Sequence, residues 1–173
     1  MWQVNETIAF DGKPYRVLFT ENSYFYWIIL DENKGLPERI YFDECNVWID
    51  EGRVEKIPDP YAYLQAESWE LESSNYLESQ KHYELIKPII DGEGAFNKST
   101  RAKRISHAIA VSDKSKSTIY RLVRRYWQRG QIKNALLPDY KNSGAAGKRR
   151  NFANTKAGRP RIYGIGKGEA VNE

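Results

Sequence analysis

Between Lys116 and Arg129 the chain carries Lys116, Ser117, Thr118, Tyr120, Arg121, Arg124, Arg125 and Arg129, cations and hydroxyls grouped within about four helical turns. Arginine donates two hydrogen bonds to guanine O6 and N7 in the major groove, and lysine and hydroxyl groups reach phosphate oxygens. These are the residue types that a reader of duplex DNA uses. Arg101, Arg104 and Lys114 precede the set and extend its basic character.

A second basic constellation lies further along. Lys141, the cluster Lys148-Arg149-Arg150, and Lys156 followed by Gly158-Arg159-Pro160-Arg161 occupy a polar stretch without helical period. Gly-Arg-Pro-Arg resembles the core of an AT-hook: proline holds the backbone extended and the flanking arginines (Arg159, Arg161) enter a narrow minor groove. The plainer reading is a basic linker that touches phosphates only.

The elements that must position these groups follow from periodicity. Asn97 or Ser99 caps a helix running to about Val111, with Ala102, Ile105 and Ile109 inward and Arg101, Lys103 and Arg104 outward. After Ser112-Asp113-Lys114, Ser115 or Ser117 caps a second helix. Its apolar positions Ile119, Leu122, Val123 and Tyr126 recur at i, i+3, i+4 and i+7. Ser117, Arg121, Arg124 and Gln128 then face away, with Thr118, Arg125 and Arg129 beside them. Two helices, a tight turn and a basic second helix make a helix-turn-helix, and the second helix is the expected major-groove reader. The same pattern also describes a three-helix core with a solvated basic face. An earlier helix is expected around Tyr83, Ile86, Ile89 and Ile90, ending at Asp91-Gly92.

Upstream the character changes. Residues 1–78 hold 6 Lys/Arg against 16 Asp/Glu, whereas residues 79–173 hold 21 against 7, so a half of net −10 precedes one of net +14. The basic half attracts polyanions through counterion release. The acidic half reads as strands: Thr7 to Phe10 and Tyr15 to Thr20 around Asp11-Gly12-Lys13-Pro14, then Tyr24 to Leu30, Glu38 to Phe42 and Arg53 to Ile57. Five short strands suggest a small barrel or a strongly curled sheet. The expected fold class is therefore α+β, with a small β-barrel-like domain at 1–60, a linker or lightly attached helix at 61–80, a helix-turn-helix domain at 81–136 and an extended basic arm at 137–173.

Enzyme readings find little support. The carboxylates of the acidic half have no histidine partner and read as a solvated surface rather than a metal site. His82 and His107 stand in different helices without a nucleophile, and Gly164 to Gly168 lacks the spacing of a phosphate-binding loop. The single cysteine, Cys45, leaves no internal disulfide and reads as a buried small side chain. No apolar run is long enough to span a bilayer and the first residues do not form a signal peptide, so a cytoplasmic protein with no membrane partner is expected.

Several segments carry a family resemblance. Met1 to Glu6, Pro14-Tyr15-Arg16, Asp50 to Arg53, Asp59-Pro60-Tyr61, Leu122 to Gln131 and Asn134 to Gly144 together resemble the N-terminal region of TnsB, the transposase subunit of heteromeric bacterial cut-and-paste transposons. The resemblance implies sequence-specific binding to repeated sites in transposon ends within the bacterial nucleoid. It also implies other transposase subunits and companion transposition proteins as partners. The family's chemistry belongs to a DDE domain with two divalent metals that follows the matched region. On this reading the chain is not itself an enzyme, needs no cofactor, and metal is expected only for that absent catalytic domain. The alternative is a protein-interaction module of the transposition assembly with mostly non-specific DNA affinity.

Overall fold

The computed structural model describes residues 2–66 and 73–138. Five strands, β1 (Thr7–Phe10), β2 (Lys13–Thr20), β3 (Tyr24–Ile29), β4 (Glu38–Tyr41) and β5 (Val54–Lys56), form one antiparallel sheet in the order β4-β3-β2-β1-β5. The β1–β2 hairpin falls at the expected place but turns on two residues, because Lys13 and Pro14, expected between the strands, already belong to β2. Phe10 pairs with Lys13, and Asp11 (φ 48°) and Gly12 (φ 75°) both occupy the left-handed region that a type I′ turn demands. Between Val17 and Phe19 the β2–β3 register shifts.

Val17 and Leu18, consecutive on the strand, are buried in different cores by ordinary alternation, and the bulge then lets Phe19 join Leu18 on the second side. On one face Ile8, Val17, Phe25, Trp27 and Ile40 pack with Cys45. On the other, Leu18, Tyr26 and Ile28 pack with Ile86, Ile89, Phe96, Ile105, Ile119, Val123 and Trp127 from the helical half. A sheet covered on both faces needs a continuous apolar strand rather than an alternating one, which is why Phe25 to Ile28 are all buried.

The first face is closed by α1 (Phe42–Asp50), which the strand reading did not anticipate. Phe42, Cys45 and Trp48 turn inward from it, and the Trp2 indole N–H donates to Cys45 Sγ at 3.3 Å. Burial pushes the Cys45 thiol up. The strand order leaves β4 and β5 as the two sheet edges, so the barrel-like closure comes from the helix between them and not from their pairing.

The helical half contains α2 (Tyr63–Ala66), α3 (Ser74–Ile90), α4 (Lys98–Ala110) and α5 (Lys116–Gln128), with 3-10 turns at Glu93–Ala95 and Lys133–Leu136. Helices reach into the stretch expected as a linker or lightly attached helix. Helix α3 begins at Ser74, capped by the Ser73 hydroxyl accepting from Tyr76 N–H, and α2 buries Leu64, whose carbonyl accepts from Asn134 Nδ2 at 2.8 Å. The β-rich and helical halves do not stand apart as separate bodies: Met1–Pro138 is one compact unit with a shared core.

Candidate nucleic-acid interface

Each helix of the α4–α5 pair starts on a side-chain cap. Asn97 Oδ1 accepts from the N–H groups of Ser99 (3.0 Å) and Thr100 (3.1 Å), and Ser115 Oγ accepts from Thr118 N–H at 3.2 Å. The connection between them is held by Ser112, whose hydroxyl donates to Ala108 O at 2.7 Å. Helix α5 is strongly two-sided: Ile119, Leu122, Val123 and Trp127 are buried. Opposite them Lys116, Ser117 and Arg121 are exposed, with Thr118, Tyr120 and Arg124 half-buried and Lys114 exposed just before the cap. Ser117, Arg121 and Arg124 fall at i, i+4 and i+7 on one side. Partial burial lowers the Arg124 pKa, opposed by the adjacent Tyr120; a guanidinium remains charged regardless.

Four other expected contact residues take a different course. Arg101 is 3% exposed, donates to Ala95 O (3.1 Å) and Phe96 O (2.9 Å), and lies 5.8 Å from the Trp127 ring centroid. Burial lowers its pKa. Its expected outward placement is therefore overturned: the inward stripe of α4 is Arg101, Ile105 and Ala108, while Ala102 is exposed. The cause is the 3-10 turn before α4, whose carbonyls need donors inside the core. Arg104 likewise turns back, donating to Ile89 O at 3.2 Å and to Asp91 O, and ties α4 to the end of α3.

Arg125 donates to Leu137 O at 2.6 Å and Arg129 sits 5.4 Å over the Tyr61 ring. Both serve the junction with neighbouring segments and not a free basic face. Gln128, also expected outward, donates to Ile29 O (2.8 Å) and Glu32 O (2.9 Å) at the end of β3. Lys141, Lys148, Arg149, Arg150, Arg159 and Arg161 lie outside the described residues, as does the rest of the expected arm beyond Pro138. Leu137, expected at its start, is buried.

The sequence reading passed over Trp127, which completes the inner face of α5 at i+8 and contacts Phe96 at 5.7 Å. Tyr126 is half-buried against Tyr83, and burial pushes its hydroxyl up to about 12. Arg16, quoted above only for the family resemblance, is fully buried in β2. A cation inside the apolar and aromatic run Tyr15 to Phe19 is the sequence signal that could have marked it. Carboxylates of the acidic half partly pair with local cations, Asp11 and Glu51 with Arg53 and Glu6 with Lys56. Among the described residues no group of three or more His, Cys, Asp or Glu could hold a metal ion, and no helix is long and apolar enough to cross a membrane.

Two family models match the chain. Residues 1–60 match the TnsB N-terminal SH3-like domain and residues 79–140 the TnsB second domain. The chain is 41% identical over 172 residues to the Transposon Tn7 transposition protein TnsB of Escherichia coli. The match takes in 99% of this chain and 24% of the relative's length. The SH3-like model falls on the α1-closed sheet and the second-domain model on α3 to α5, and the chain belongs to the TnsB family.

Proposed function

We propose that this chain binds double-stranded DNA at repeated sites in transposon ends, with α5 in the major groove, as the recognition part of a transposase. The observation that carries this reading is the division of α5 into a buried apolar face and an opposite side with Lys116, Ser117 and Arg121 exposed and Arg124 half-buried. Such a helix offers donors to base edges without spending its packing face. The relative's name, a transposition protein, supports transposon DNA as the polyanion. No catalytic role is assigned to these 173 residues; strand chemistry and its divalent metals belong to a DDE-type domain of the family. The setting is the bacterial cytoplasm, on nucleoid DNA. Fluorescence anisotropy with a transposon-end duplex and a scrambled duplex of equal length tests this. Tighter binding to the end sequence by at least tenfold is expected, and equal binding would remove the specific reading.

A second reading concerns α1. Tyr41, Val47 and Ile49 are exposed beside the acidic Asp43 and Glu44, and a groove of about 460 Å³ opens between Trp2, Phe42, Asn46 and Ile49. An acidic apolar surface repels DNA and suits another subunit of the transposition assembly. Val47→Asp with Ile49→Asp should then weaken assembly on end DNA while leaving the affinity of a single copy unchanged. Loss of single-copy affinity would count against it.

A further inference from the structure

Arg16 lies in the middle of β2 with no exposed surface. A buried guanidinium is tolerated only when its donors are matched, and here partners come from three separate segments. Nε donates to Gln128 O at 3.0 Å, Nη1 to Asn5 O at 3.1 Å and to Asp59 Oδ2 at 3.0 Å, and Nη2 to Asp59 Oδ1. Asp59 is itself oriented, since its Oδ1 accepts from Tyr61 N–H at 2.8 Å.

Gln128 is the last residue of α5, so its carbonyl is one that the helix leaves without an internal partner. The helix ends in a Schellman turn: Gln131 N–H donates to Tyr126 O at 2.9 Å, and Gly130 takes φ 99°, a value suited to glycine. Arg16 adds a cation at this negative end of the helix dipole. Two glutamines complete the attachment. Gln128 Nε2 reaches Ile29 O and Glu32 O, and Gln131 Nε2 reaches Leu18 O (3.0 Å) and Asn5 Oδ1 (3.2 Å). The C-terminal end of α5 is thus bonded to β2, to the end of β3 and to the segment before β1.

We infer that Arg16 is a positioning residue for DNA reading, which fixes the angle at which the SH3-like half presents the recognition helix to the groove. The inference rests on the DNA-binding reading above. Apolar packing holds the two halves together but is non-directional, whereas a planar five-donor fork sets orientation. The anchor and the reading residues sit at opposite ends of α5. Lys116 to Arg121 lie about 10 to 18 Å from Gln128 along the axis. A tilt of about 10° at the anchor moves such groups by about 2 to 3 Å, enough to lose a bidentate bond to a base.

The test uses the full 173-residue chain spin-labelled at Lys13→Cys and Lys103→Cys, both exposed positions, with Cys45 buried. Double electron–electron resonance reads the label distance, and anisotropy reads end and scrambled DNA. In Arg16→Met the distance distribution should at least double in width, and end-to-scrambled discrimination should fall by tenfold or more, with scrambled-DNA affinity and salt slope unchanged. Arg16→Lys, which keeps the charge on Asp59 without the fork, should fall between. A folded Arg16→Met chain with an unbroadened distribution and intact discrimination would overturn the inference. If Arg16→Met does not fold, Asp59→Ala, which takes the carboxylate from the fork and leaves the bonds to Gln128 O and Asn5 O, decides by the same two readouts. If the wild-type chain itself fails to discriminate, the DNA reading falls, and the label distances still decide whether Arg16 sets the pose of α5.

Discussion

The eight cations of the helical half expected to contact DNA divide into two groups with different fates. Lys114, just before α5, and Lys116 and Arg121 along it stay exposed, with Arg124 half-buried on the same side. Arg101, Arg104, Arg125 and Arg129 are turned onto backbone carbonyls or an aromatic ring. All eight look alike in a charge count. What separates them is helical phase relative to irregular backbone: wherever a 3-10 turn or helix end leaves carbonyls inside the fold, the nearest guanidinium is drawn in to satisfy them. A basic segment is therefore partly an outward cationic surface and partly its own internal scaffold.

The strongest way to break this picture is to remove the sheet. Leu18, Tyr26 and Ile28 share a core with Trp127, Phe96 and Ile119. At about 1.5 to 3 kcal/mol for each large side chain left without cover, their loss amounts to about 5 to 9 kcal/mol as an upper bound. That is comparable to the whole stability of a small domain. A chain of residues 61–173 is expected to lose cooperative thermal unfolding by circular dichroism, and with it DNA binding. A cooperative melt within a few degrees of the full chain would show that the outward cations need only the helices.

Next in size is a direct contrast between the two groups. Arg101→Met leaves Ala95 O and Phe96 O unpaired in the core and should cost about 1 to 3 kcal/mol of stability in urea unfolding. Arg121→Met should stay within about 0.5 kcal/mol of wild type in the same assay. In DNA binding the order reverses. Arg121→Met is expected to weaken binding to end DNA by about 1 to 3 kcal/mol if it reads a base, or to flatten the salt slope by about 0.9 if it meets a phosphate. Once folded, Arg101→Met should change neither quantity, and a change in its salt slope would return Arg101 to the contact set.

Much of the local structure was legible because local chemistry decides it. Asp11-Gly12 dictated the hairpin, Asn97 and Ser115 proved to be the caps among the alternatives the sequence offered, and the inner face of α5 followed from spacing. Helix α1 escaped notice because exposed Val47 and Ile49 blur the Phe42, Cys45, Trp48 period, and a short amphipathic run between two strands reads as a loop. The union of the two halves is a tertiary fact. Its traces were the unalternating run Phe25 to Ile28 and the lone cation Arg16, each of which needs a partner on the far side of the sheet. Arg101 could not be told from Lys103 by period alone, since a rotation of one residue in the inner stripe exchanges Ala102 for Arg101, and only the carbonyls of the preceding turn decide it.

The smallest effect sharpens the contrast from the side of α3. His82 is largely covered, with Glu78 Oε1 3.7 Å from Nε2. Burial lowers its pKa below the ordinary 6.5, Lys114, Arg121 and Arg125 lower it further, and Glu78 opposes them. The unfolded chain therefore binds this proton more readily than the folded one. Stability from this group is complete above pH 6.5 and falls as pH drops from there through the lower folded value. Urea unfolding between pH 7.5 and 5 should show that decline in the wild-type chain and a shallower one in His82→Gln. Because desolvation is the first cause, most of the difference should survive 0.5 M salt, which screens only the part due to the cations. Two of those cations, Lys114 and Arg121, belong to the outward group. If DNA phosphates neutralise them, the His82 pKa read from its imidazole proton resonances should rise on adding end DNA, and an unmoved titration would place the phosphates away from that end of α5.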